Sequence, residues 1–205
     1  MTGGEPAPDP AGLARWVLTR PPAPALPAGP LVVGVDGRSG AGKTTLARSL
    51  VVALSELGAH AVGVHLDDLY PGWDGLDAVV PVVRALLSDL AGDTPVVVPT
   101  WDWPAGRPGP SRTLAALGPP RPRVVVLEGA GCGARATAPW TAALLWVDAD
   151  PAVRRARALA RDGDTYAPHW QRWADQEEAY AAREQVPARA DVVLGTDGRA
   201  ARLVR

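Results

Sequence analysis

Lys43 is the only lysine in this chain of 205 residues, and it stands in Gly37-Arg38-Ser39-Gly40-Ala41-Gly42-Lys43-Thr44, a complete G-x-x-x-x-G-K-[ST] loop. Every other Lys/Arg-type cation is an arginine, and isoleucine, asparagine and phenylalanine are absent. A compact ammonium on a flexible stem can follow a phosphate that moves during a reaction, which a planar guanidinium fork does poorly. The glycines let successive backbone N–H groups converge on phosphate oxygens, and a helix starting near Lys43 would add the positive end of its dipole. The run 37–44, with the neighbouring Thr45, is therefore expected to hold a nucleoside triphosphate, ATP or GTP. Lys43 is expected on the β- and γ-phosphates and the Thr44 hydroxyl on Mg²⁺.

The remaining chemistry-bearing residues narrow the class. A GTPase guanine reader, Asn-Lys-x-Asp, is impossible without asparagine or a second lysine. The acidic pair Asp67-Asp68 runs into Leu69-Tyr70 rather than the Asp-x-x-Gly of a switch, and a transporter-type Leu-Ser-Gly-Gly-Gln segment is missing. Arg154, Arg157 and Arg161 recur at spacings of three and four, which puts them on one helix face. An aspartate after the second strand and an arginine-rich segment near the C-terminus suit a small kinase.

These residues need elements to position them. Leu31–Asp36 is a short continuous apolar run, as in a strand buried on both faces. A helix follows with Leu46, Leu50, Ala53, Leu54 and Leu57 at helical spacing and Gly58 as its stop. Strands are expected at 61–66, 96–98, 124–127, 144–147 and 191–194. A helical stripe runs from Leu76 to Leu90, with Pro81 either near its start or at a kink. A Pro/Gly/Arg-rich loop is expected at 101–112. Asp150-Pro151 caps an arginine-rich helix, Gly163-Asp164 breaks it, and another helix spans about 169–183. Alternating strands and helices imply a mostly parallel α/β sheet with right-handed crossovers, whose ligands bind at the carboxyl ends of the strands. Residues 1–30 read as a flexible lead-in with one short helix, and 31–205 as the domain.

Four segments resemble the uridine kinase-like family of phosphate-loop kinases: Gly34-Val35-Asp36-Gly37, Asp67-Asp68-Leu69-Tyr70, Val124 to Gly129, and Val147 to Asp162 followed by Ala190-Asp191-Val192-Val193. The resemblance implies a three-layer phosphate-loop NTPase fold, with about five parallel strands, helices on both faces and a small arginine-rich lid near 160–169. It implies that Asp67 takes the proton of an acceptor hydroxyl, a role in keeping with the positioning that phosphoryl transfer requires. Asp68 and Glu128 would assist Mg²⁺ beside Thr44. Asp102 would accept hydrogen bonds from a sugar diol, with Trp101, Trp103, Tyr70 and Trp73 as flat walls. Arg154, Arg157 and Arg161 would close over the transferring phosphate.

Bulk properties set the outer limits. A net charge of −1 gives no general nucleic-acid surface, and a single cysteine, Cys132, forms no internal disulfide. No apolar run reaches membrane-spanning length, and Met1–Pro10 lacks the marks of a signal peptide, so a soluble cytoplasmic protein is expected. The leading expectation is an ATP- and Mg²⁺-dependent phosphotransferase acting on a hydroxyl of a nucleoside or nucleoside-like molecule. Its rivals are a nucleoside-monophosphate or other metabolite kinase, for which Arg84, Arg107 and Arg112 are available, and a regulatory ATPase with no small-molecule acceptor.

Overall fold

The computed structural model describes residues 9–92, 95–114, 123–197 and 202–203. Its centre is a parallel sheet built from β1 (Leu31–Gly37), β2 (His60–His65), β5 (Arg123–Glu128), β6 (Ala143–Asp148) and β7 (Val192–Gly195), in the order β2-β5-β1-β6-β7. The short β8 (Arg202–Leu203) adds antiparallel to β7 at the edge. In the register, Val35 of β1 and His65 of β2 both stand beside Glu128 of β5. That pairing brings three candidate segments to one carboxyl-end rim.

Alternation along the central strands feeds two separate cores. Val32, Val125 and Leu127 point to one, and Val33, Val35, Val124 and Val126 to the other. On the second face lie α1 (Pro10–Leu18) and α2 (Lys43–Glu56), through Leu13, Val17, Leu50 and Leu54. On the first face lie α3 (Leu76–Asp89) and α5 (Trp170–Glu184), through Val79, Val83, Leu87, Trp173 and Tyr180. A continuous apolar strand is what a sheet covered on both sides requires. The three-layer α/β expectation holds.

Several elements differ from the sequence expectation. The region read as a 101–112 loop is largely a hairpin: β3 (Val96–Asp102) pairs antiparallel with β4 (Arg107–Leu114), apart from the main sheet. Pro99, Pro108 and Pro110 hide the ribbon from a propensity reading, since proline lacks a ladder donor. A two-stranded ribbon has outward-facing positions where no donor is needed, and the register shifts between Val98 and Thr100, around Pro99. The helix α3 starts at Leu76 and runs through Pro81. The arginine-rich α4 (Pro151–Tyr166) begins on an Asp150 side-chain cap and passes Gly163 as a kink, with φ 52° and ψ −135°, rather than ending there. The short α6 (Val186–Arg189) leads into β7. Residues 1–8 of the lead-in lie outside the described residues; from residue 9 to β1, Leu13, Ala14, Val17, Ala23 and Leu26 are buried. Among the described residues no helix is long and apolar enough to cross a membrane.

Candidate active site

The loop between β1 and α2 is shaped by its glycines and held by its neighbours. Gly40 has φ +75°, and a Cβ there would lie 2.0 Å from the Arg154 carbonyl oxygen, so α4 packs directly on the loop backbone. Arg154 is buried at 6 % exposure. Its Nε donates to the Ala149 carbonyl (3.2 Å) and its Nη1 reaches the Ser39 carbonyl (3.4 Å). Arg157 donates to the Thr196 hydroxyl and carbonyl, each at 2.9 Å, and the Thr196 hydroxyl donates to the Ala41 carbonyl at 2.6 Å. From the other side, Glu177 on α5 accepts from both the backbone N–H and the hydroxyl of Ser39, each at 2.8 Å, and Arg38 pairs with Glu178 at 2.6 Å. Lys43 Nζ donates to the Arg38 carbonyl at 3.2 Å, folded over the loop.

Ser39, Gly40, Gly42, Lys43, Thr44 and Thr45 line a cavity of about 780 Å³ at the carboxyl ends of the strands. Gly37, Arg38 and Ala41 shape the loop from behind without lining it. Across the opening stand Asp67 and Asp68, on the 3₁₀ turn Leu66–Asp68 that follows β2. The Asp67 carboxylate faces the open cavity but is otherwise crowded by protein. Desolvation, then the Glu128 charge, push its carboxyl pKa up, against the pull of Lys43. Solvent in the cavity tempers the first effect. Glu128, nearly buried, accepts from the Thr44 hydroxyl at 3.3 Å and bonds His65 Nδ1 at 2.8 Å. Burial works to raise its pKa, but the His65 hydrogen bond and the Lys43 charge outweigh burial, and it lies below the usual range. The hydrogen bond to Glu128 raises the His65 pKa in turn.

No family model and no curated protein matches the sequence. Solved structures do. A possible uridine kinase from Bacillus stearothermophilus superposes with a TM-score of 0.62 at 21 % identity, over 91 % of this chain and 97 % of that one. A putative fructose transport system kinase from Silicibacter gives 0.53 at 23 % identity, over 86 % and 88 %. YFH7 of Saccharomyces cerevisiae, a putative P-loop containing kinase with a circular permutation, gives 0.50 at 13 % identity, over 88 % and 94 %. The fold is the phosphate-loop NTPase α/β fold that these structures share.

Within this phosphate-loop fold the expected site residues separate into two groups. Lys43, Thr44, Asp67, Asp68, Tyr70, Trp73, Trp103, Glu128, Arg157 and Arg161 share the cavity. Trp101 and Asp102 do not line it. Asp102 instead accepts from the Ala105 N–H at 3.0 Å, closing the turn of the β3–β4 hairpin. Arg154 braces the loop from behind. Asp68 lines the same cavity, paired with Arg112 of β4, and the Thr44 hydroxyl stands 3.3 Å from Glu128, so these three are the oxygen groups available to Mg²⁺, a hard cation that keeps several waters and takes few protein ligands. Arg161 is forked onto Asp162, at 2.8 and 2.7 Å, and that bond raises its pKa.

His65, Tyr166, Trp173 and Glu177 also line the cavity and were not singled out from sequence. The signal for Glu177 was present. It sits four residues after Trp173 and three before Tyr180, on the apolar stripe of α5, where a carboxylate is out of place unless it has partners. Tyr70, Trp73, Trp103, Tyr166 and Trp173 all line the cavity. Trp73 stacks on Tyr166 (5.4 Å, 11°) and on His169 (4.3 Å, 14°), Tyr70 meets Trp173 edge-on (4.8 Å), and Trp103 donates to the Asp67 carbonyl at 2.8 Å.

Proposed function

We propose that this protein is an ATP- and Mg²⁺-dependent kinase that phosphorylates a hydroxyl of a nucleoside or nucleoside-like small molecule. The observation that carries this reading is the shared cavity. A phosphate loop with its lysine forms one wall, and a solvent-facing carboxylate flanked by aromatic rings forms the other. In the reaction, Lys43 and the loop amides hold the triphosphate tail. Asp67 orients the acceptor hydroxyl and takes its proton as the oxygen bonds to the γ-phosphorus and the bond to the β-phosphate oxygen breaks, leaving ADP. Thr44, with Asp68 and Glu128, would hold Mg²⁺, which supplies charge neutralisation on the phosphates. Arg161, with Arg157, is placed to meet negative charge from the α4 side. The kink at Gly163 lets the segment from Arg161 to His169 bend over the cavity and exclude water.

The arginines singled out for an acceptor phosphate lie outside the cavity, which is lined instead by Arg48, Arg157 and Arg161. Arg84 lies over the Trp140 ring, Arg112 is on Asp68, and Arg107 stands opposite Asp102 in the hairpin; none of the three lines the cavity. A nucleoside-monophosphate kinase would need such arginines at the acceptor. The deciding experiment is an ATP-consumption assay with purified protein, Mg²⁺ and a panel of nucleosides, nucleoside monophosphates and sugars. Turnover that depends on an alcohol acceptor supports the reading. ATP hydrolysis indifferent to every acceptor points to a regulatory ATPase and removes it.

A further inference from the structure

Thr196 follows β7 and does not line the cavity, yet it holds one peptide of the loop that does. Its N–H donates to the Asp148 carbonyl at 3.0 Å, which ties it to the end of β6. Its hydroxyl donates to the Ala41 carbonyl at 2.6 Å, across 155 residues of sequence. Arg157 donates to the Thr196 hydroxyl oxygen and to its carbonyl, each at 2.9 Å. A guanidinium only donates and a hydroxyl carries a single proton, so the chain runs one way, from Arg157 through Thr196 to Ala41.

The peptide so held joins Ala41 to Gly42. Gly42 has φ +100°, and without a side chain it opposes rotation of that peptide little. A Cβ on Gly42 would lie 3.4 Å from the Thr196 methyl, so the two residues are close neighbours. In a trans peptide the carbonyl and the N–H point to opposite sides. Holding the Ala41 carbonyl toward Thr196 therefore turns the Gly42 N–H the other way, and Gly42 lines the cavity. A rotated peptide would offer a phosphate a carbonyl oxygen in place of a donor. The Ser39 carbonyl is held in like manner by Arg154, one turn earlier on α4. Convergent N–H groups make an anion cradle, and fixing them before the ligand arrives adds affinity.

We propose that Thr196 is a positioning residue for the triphosphate: oriented by Arg157, its hydroxyl locks the Ala41–Gly42 peptide with the N–H ready for phosphate oxygens. This rests on the kinase reading for the ligand and adds a residue, outside the cavity, on which the grip of the loop depends. Thr196 acts on the phosphates through the loop, and the nucleotide base plays no part in its effect.

The test is calorimetric titration of the full-length protein, with Mg²⁺ present, by a non-hydrolysable ATP analogue and by inorganic tripolyphosphate, which has the phosphates without the base. Thr196→Val keeps the shape and removes the hydroxyl. It should weaken both ligands by a similar factor, about 3- to 10-fold, the scale for one lost hydrogen bond. Thr196→Ser restores the hydroxyl without the methyl and should bind both as wild type does. Arg157→Gln should also weaken both, and the double variant Thr196→Val with Arg157→Gln should lose less than the product of the two single losses. Thr196 is exposed and outside both cores, so the valine variant should fold, and Thr196→Ala serves if it does not. Wild-type affinity in Thr196→Val overturns the proposal. So does a Thr196→Ser variant as weak as Thr196→Val, which would assign the effect to methyl packing, or a loss confined to the ATP analogue, which would assign Thr196 to the base. Single losses that multiply fully in the double variant would overturn it as well. Alcohol-dependent turnover with no role for the Thr196 hydroxyl would leave the kinase reading standing and remove only this proposal. Hydroxyl-dependent binding of both ligands without acceptor-dependent turnover would do the reverse.

Discussion

Lys43 folds back onto the Arg38 carbonyl and lies close enough to Asp36, Asp67, Glu128 and Glu177 to influence each. One ammonium therefore balances several carboxylates, beside the role proposed for it on the triphosphate. Lys43→Ala is expected to cut kcat about 100-fold or more, the scale for losing a charge that stabilises a transition state. Unchanged turnover in a folded variant would sink the site assignment. Asp67→Asn should lower kcat by about 100- to 10,000-fold with little change in nucleotide affinity, as for a lost general base. A collapse of nucleotide binding with kcat intact would instead assign Asp67 to the metal. The His65–Glu128 pair gives a pH signature in the metal-free protein. The raised His65 pKa means its contribution to stability is complete below its ordinary value of 6.5 and disappears as pH climbs through the folded value. The lowered Glu128 pKa means its contribution is present above 4.5 and lost as pH falls through the folded value. The stability gap between wild type and His65→Gln, measured by urea unfolding, should be widest between those two values and narrow on either side. A gap that is flat with pH would show that the pair is not charged.

At the scale of elements, what was legible followed from periodicity and caps. The apolar runs of β1, β5 and β6, the Leu46–Leu54 stripe and the Asp150-Pro151 start are local signals, and the fold follows them closely. The β3–β4 hairpin was not legible, because its pairing is set by cross-strand register in a proline-rich stretch and not by local propensity. The same limit affected the site. Lys43, Thr44, Asp67 and Glu128 could be read from strand-end positions, but Asp102 lay on a strand whose partner was unknown and proved to cap a turn. Glu177 lies 138 residues from the Ser39 it holds, so only the packed fold joins them. Gly163 is the element-scale prediction. Its φ of 52° with ψ of −135° is backbone that side chains rarely adopt, while a Cβ there would meet nothing within 4 Å. Gly163→Ala should therefore either cost about 1–3 kcal/mol of stability or straighten the helix and move Arg161. Denaturant midpoint and kcat measured together separate the two outcomes, and a variant with neither changed would show that the kink bears no constraint.

At the scale of the whole molecule, the sheet is complete only when both faces are covered, and part of one cover comes from before β1. Leu13 and Val17 of α1 pack on α2, the helix that begins at Lys43, and Leu26 enters the opposite core. Burying each such side chain contributes about 1.5–3 kcal/mol, an upper estimate given residual burial in the unfolded chain. Three of them approach the about 5–15 kcal/mol that holds a typical domain together. A chain shortened to residues 31–205 should therefore unfold at much lower denaturant, or fail to unfold cooperatively, although every phosphate-loop residue is retained. A loosened α2 should also weaken the anchoring of Lys43 and Thr44. Saturating Mg·ATP, which binds the folded form alone, should accordingly recover part of the lost midpoint, by about 2.7 kcal/mol at a hundred times its Kd. If the shortened chain unfolds at the wild-type midpoint, the segment before β1 is an appendage and not the outer layer of the second core. If its midpoint falls but nucleotide restores none of it, α1 supports the sheet without supporting the phosphate loop.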